Sequence, residues 1–329
     1  MHIVDSHLEL VAPPMSIRKF NRIKKEQEVK KLLDLASLYI IAKREVPNIV
    51  LSNKMFIEGV EETGNSIPLS ITMKEAGIRV NAIYVLPPEF GRDVVDEMKK
   101  MISSDVELDE LLYCSAIGCG KLYFEPSDDL IHFVTYEVLY VGECVDEPLT
   151  KRFKAHHALQ EMLIEEDVIS RDYANSDELI LLPFRIGGDV LSILDPYTSG
   201  IDDYLKVFTN DLSFGTKEIT LDCEKALVHG MNPKYNRIRF LNYPQSEDGL
   251  SKTEADVYSY YVGANLVLKY DGGVIYGSSD DYYVSHIIGD KDGYTNIYAP
   301  SEDFTKRYVR RMFPYYPSDD DVSSHKKSG

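Results

Sequence analysis

Asp222 and Glu224 lie two residues apart in KEITLDCEKALVH, and His229 follows five residues after the glutamate. On a strand, side chains two apart share a face. Both carboxylates would then point the same way and, with the imidazole, could hold a divalent cation whose bound water ionises near neutral pH. One reading of the chain is therefore a divalent-metal-dependent hydrolase or nuclease using Asp222, Glu224 and His229. The D…E-x-K pattern of nucleases places its lysine two residues after the glutamate, whereas Lys225 is adjacent to Glu224.

Other chemistry-bearing segments fail their spacing tests. SAIGCGKLYF (115–124) has Ser115 where a phosphate loop needs glycine and Leu122 where it needs a hydroxyl. Tyr123 occupies the third glycine position of a dinucleotide turn, so Gly118 and Gly120 read as a tight connection into a strand. His157, Glu161 and Glu165 form a polar helical stripe but not H-E-x-x-H, and a solvated helix face is expected. Asp280-Asp281 would face opposite ways on a strand, and GDKDGYTN (289–296) misplaces the glycine of a calcium loop. No serine or cysteine has a histidine at a recognisable spacing. No metal ligand set is assigned, no cofactor is expected, and the balance of these failures leans away from an enzyme.

The elements that would carry these residues follow from periodicity. Residues 1–16 read as an extended N-terminal arm, with Pro13-Pro14 blocking helix and Ser16 placed to cap a helix starting at Ile17. Residues 17 to about 45 carry a wide apolar helical stripe ending before Pro47. The start of that helix holds seven basic residues, Arg18, Lys19 and Arg22 among them, against two glutamates. Strands and turns are expected over 48–90, then two helices, the second opened by a capping box from Ser104 to Glu107. KLYF and LIHFVTYEVLYVGECV read as strands, and a helix should run from Thr150 to about Asp167. From Asp177 short apolar runs separated by Gly, Asn, Asp and Pro suggest antiparallel strands, KEITLD among them. SEDFTKRYVRRMF reads as a closing helix. The expected fold class is α+β, with a helix-rich N-terminal half and an antiparallel β-rich C-terminal half. The expected divisions are the arm (1–16), a helix-rich α+β domain (17–175), a β-rich antiparallel domain (176–315) and a polar tail (316–329).

Composition narrows the function classes. Hydrophobic residues at 44% and charged residues at 27% exclude a disordered or fibrous chain. A net charge of −18 disfavours a protein that coats nucleic acid. Four cysteines form no C-x-x-C pair, and the N-terminus lacks the apolar run of a signal peptide. The longest near-apolar stretch, 32–42, is about half a bilayer span, so no membrane is expected. The cytoplasm, or a particle assembled there, is the expected location.

Tyrosine outnumbers phenylalanine 23 to 12, and twelve of the tyrosines fall between Tyr258 and Tyr316. Tyrosine suits half-wet interfaces. Tyr258, Tyr260, Tyr261, Tyr276, Tyr282 and Tyr283, with Arg18, Lys19 and Arg22, are therefore the expected partner-binding residues. The leading expectation is a non-enzymatic assembly or interaction subunit of a larger intracellular complex, a virion among the candidates, forming a homo-oligomer or hetero-complex with protein. A further alternative is an acidic binding or neutralising module for a basic partner protein.

Overall fold

A computed structural model describes residues 2–52, 65–153, 157–166, 177–192, 215–245, 249–253, 255–279, 284–290, 292–293 and 295–298. The expected closing helix, the polar tail, Asp280-Asp281, Tyr282 and Tyr283 lie outside them. The chain divides into two compact units: a large one from residues 1–44, 135–169 and 178–300, and a small one centred on residues 45–134.

The large unit is organised by a mixed ten-stranded sheet. Its order is β12 (Gly273–Tyr276), β11 (Val267–Tyr270), β8 (Thr135–Glu143), β3 (Leu38–Glu45), β9 (Asp177–Ser192), β1 (His2–Leu10), β10 (Val257–Val262), β13 (His286–Asp290) and β14 (Thr295–Tyr298). The two-residue β2 (Met15–Ser16) also pairs with β9. β1 runs parallel to β10 and β11 parallel to β8, whereas β1–β9, β10–β13 and β3–β8 are antiparallel. A helix, α7 (Thr216–Met231), packs on β8 and also on β13 and β14 near the other end of this order. The sheet therefore bends around the helix into a nearly closed barrel.

Three expectations are corrected here. First, the N-terminal half is not helix-rich, since eight of the fourteen described strands precede residue 144. The C-terminal strands join a mixed sheet together with β1, β3 and β8. Second, the leader is not an arm. His2 to Leu10 alternates, with Val4, Ser6 and Leu8 buried toward α7, and is paired on both edges, to β9 and β10. Pro13-Pro14 only ends the strand. Third, the single helix expected over 17–45 is two short helices, α1 (Ile17–Ile23) and α2 (Gln27–Leu33), followed by β3. Ser16 does cap α1, its Oγ accepting the Lys19 N–H at 3.0 Å. The apolar run of β3 feeds two cores: Leu38, Ile40 and Ala42 pack on the α7 side, and Tyr39 and Ile41 on the other. A strand buried on both faces is apolar at every position, and that continuity imitates a wide helical stripe.

KEITLD is likewise helical, as the start of α7. Cys223, Ala226, Leu227 and Met231 hold helical spacing in the core, and Asn232 closes the helix at φ 49° with its N–H bonded to the Val228 carbonyl. Pro233 then prevents continuation.

The small unit is a four-stranded antiparallel sheet, β4 (Asn48–Leu51), β5 (Ser66–Met73), β6 (Ile78–Val85) and β7 (Lys121–Phe124). Its core joins Ile67, Leu69, Ile71 and Tyr84 to Val95 and Ile102 of α3 (Arg92–Ile102) and Leu108 and Leu111 of α4 (Leu108–Ala116). The capping box is present three residues later than expected. Glu107 is the N-cap, and its own N–H donates to Glu110 Oε2 at 2.9 Å. Ser104 instead donates to the Lys100 carbonyl. Gly118, at φ +81°, turns the chain out of α4 toward β7.

Among the described residues, no helix is long and apolar enough to cross a membrane. The other helices of the large unit are α5 (Leu149–Arg152) and α6 (His157–Glu165).

Candidate functional site

The metal reading required Asp222 and Glu224 on one face of a strand. On α7, two residues turn the direction by about 200°, so the carboxylates diverge. His229 returns to the Asp222 face but stands ~10 Å further along the axis. Each group is committed locally. Asp222 is fully buried and accepts hydrogen bonds from Tyr243 (2.9 Å), Tyr260 (2.6 Å) and the Leu250 N–H (3.0 Å). Burial raises its pKa, against the pull of those three donors and of Lys225. The same burial pushes the Tyr243 and Tyr260 phenols well up. This network ties α7 to β10, to Tyr243 and to Leu250. His229 Nδ1 lies 3.0 Å from the Phe240 carbonyl, to which it donates, and its ring packs near Tyr243. Among the described residues no group of three metal-ligating side chains forms.

Glu224 lies where β8 ends. Burial pushes its carboxyl up to about 7, and the neighbouring Glu143 charge adds to the rise. Arg152, Lys225 and the Glu143 backbone N–H pull the other way. Arg152 bonds Glu143 at 2.8 Å and also the Tyr39 phenol. Tyr39 and Tyr140 lie with ring centroids 5.9 Å apart, and Cys144, its thiol pushed up to about 12 chiefly by burial, joins the cluster. Glu143, Arg152, Tyr39 and Tyr140 come from three separate elements, and no sequence spacing brings them to Glu224. A carboxyl trading its proton near neutrality is a recognised mark of reactive sites. Here its neighbours are bonded to one another.

Of the six described tyrosines in the tyrosine-rich segment, three are buried, Tyr270 and Tyr276 are half-buried and Tyr298 is exposed. Tyr258 and Tyr260 are sealed in the α7 core, and Tyr261 is buried between the rings of His7 and His286 at 5.5 and 5.2 Å. Next to Tyr261, Ser259 Oγ lies 3.0 Å from His286 Nδ1, a serine–histidine contact made only by the β10–β13 pairing. β10 is paired on both edges, so its amides are directed into the sheet ladders. Acyl transfer needs free donors for an oxyanion, and this strand presents none. On α1, Arg18 and Arg22 are exposed whereas Lys19 is buried. The polar stripe on α6 is also occupied: Glu161 pairs with Arg237, and Tyr235 donates to Glu165 and Glu166. Burial alone would raise Glu166, yet Lys234, Tyr235 and Lys43 hold it down to about 2.

The small unit has a different surface. Residues 45–134 hold sixteen acidic against seven basic side chains, or −9, half of the net charge in little more than a quarter of the chain. Among the described residues, seven of the thirteen large apolar side chains left exposed lie on this unit, including Leu51, Phe90, Val94, Met101 and Ile117. On α3, Val95 and Ile102 are buried while Val94 and Met101 are exposed, with Asp93, Asp96 and Glu97 exposed beside them.

Comparison with protein-family models, with curated proteins and with solved structures returns no match for this chain.

Proposed function

We propose that this chain is a non-catalytic binding protein for a basic protein partner, recognised mainly through the acidic small unit. One observation carries the reading: the acidic excess stays at the surface. Among the described residues, the fully buried charged side chains are Asp109 and Asp222 against Lys19, Arg44 and Lys225, and with the largely buried Glu224 burial hides three of each sign, leaving the acidic excess outside. A surface field of this sign raises the encounter rate with cationic partners and repels phosphate backbones. The exposed apolar residues of the small unit supply what charge alone does not, a desolvated contact that slows dissociation.

The test is the association rate of the full chain with a lysine-rich peptide, by stopped-flow fluorescence. Ionic strength is raised from about 0.01 M to about 1 M, shrinking the screening length from ~30 Å to ~3 Å. The reading expects the rate to fall at least roughly tenfold. A rate unchanged by salt, or no association at low salt, refutes it.

A further inference from the structure

Resting on that reading, we propose that the exposed apolar strip of α3, formed by Val94 and Met101 with Phe90 in the preceding turn, is the docking face for a basic amphipathic helix of the partner. Val94 and Met101 are seven residues apart, which returns to nearly the same direction two turns on, ~10 Å along the axis. They are 41% and 48% exposed, and Phe90 is 39% exposed. Met98 lies between this strip and the buried anchors Val95 and Ile102, packed partly against the core. The helix is therefore already held by its buried side, and the strip is additional apolar surface.

Charge selects the occupant. Glu97 and Asp93 border the strip on the flank away from Val95 and Ile102, with Lys100 further round the same flank; all three are exposed, and the carboxylates there exceed the lysines by one. A helix laying an apolar row on Val94 and Met101 would set its polar margin against these carboxylates, where lysine or arginine is favoured. A second copy of this chain fits poorly, because each copy carries −18. Apolar anchors at two-turn spacing also match the i, i+7 repeat of an amphipathic helix in a groove.

The experiment uses the full chain and two fluorescein-labelled peptides of equal positive charge, one an amphipathic leucine–lysine sequence and the other serine–lysine. Fluorescence anisotropy gives both affinities for the native protein, for Val94→Ser/Met101→Ser and for Ile164→Ser, a control at an exposed apolar residue of the large unit. None of these changes alters charge, so the electrostatic contribution is held constant. The native protein should prefer the leucine peptide by roughly tenfold or more. The double variant should lose most of that preference while keeping its affinity for the serine peptide, and Ile164→Ser should change neither. Retained preference in the double variant, with melting curves confirming its fold, overturns the α3 assignment and leaves the acidic-binder reading standing. Equal affinity of the native protein for both peptides also overturns it. Failure of both peptides to bind at low salt removes the broader reading itself.

Discussion

Glu224→Gln should flatten the dependence of stability on pH. The carboxyl titrates near 7 in the folded chain against an ordinary value of 4.5. A difference of about 2.5 pH units corresponds to about 3 kcal/mol at most. The folded state holds the proton more tightly than the unfolded state, so stability is greatest below about pH 4.5. It falls as pH rises toward 7 and levels off above, where both states are ionised. Glutamine keeps the shape and cannot ionise. The variant should match the native protein near pH 4.5 and exceed it at pH 8 by about 2–3 kcal/mol. Urea unfolding from pH 4 to pH 9 measures this directly, and carbon-13 NMR of the side-chain carboxyl gives the midpoint. Parallel stability profiles for the two proteins, or a Glu224 carboxyl titrating below pH 5, would contradict this account of the burial. Either result would mean that water reaches the group or that Arg152 and Lys225 outweigh burial.

Other consequences are as specific. Asp222→Ala strips the acceptor from two buried phenols and one amide and should cost about 3 kcal/mol or more, whereas Tyr260→Phe removes one bond and should cost about 1–2; urea midpoints separate the two. Gly188→Ala would place a methyl 2.6 Å from the Asp5 carbonyl and 2.7 Å from Ser6 Cα, so its melting temperature should drop clearly, while Gly91→Ala, with nothing within 4 Å, should stay close to native. Leu8→Asp places a charge in the α7 core and should abolish soluble expression; a folded Leu8→Asp protein would contradict the placement of β1.

Much of the small unit was legible in the residues themselves. Its strands and its two helices follow from short-range patterns, such as the Val95–Ile102 spacing of α3 and the KLYF strand, because hairpins and short helices are made by neighbours in sequence. The leader was not: read as an arm ending at Pro13-Pro14, it is a strand because β9 and β10, far along the chain, pair with both its edges. KEITLD misleads as well. Ile219 and Leu221 suggest a strand, while the deciding features, Cys223 to Met231 and the Asn232-Pro233 stop, lie further along. Once α7 is a helix, the Asp222–Glu224 argument loses its geometry.

What the chain's composition settled alone is its acidity, its lack of a recognisable catalytic spacing and the gathering of tyrosines after residue 257. Charge and spacing are properties of the covalent chain and need no fold to exist. Which way those side chains face is another matter. The pairing of the first strand with β10, about 250 residues later, carried Tyr258 and Tyr260 inside, where Tyr260 bonds Asp222, and the packing of α7 on β8 set Glu224 beside Glu143 and Arg152. Burial of that kind is a sum of long-range contacts, each separately weak, and only their simultaneous formation makes one register better than its rivals.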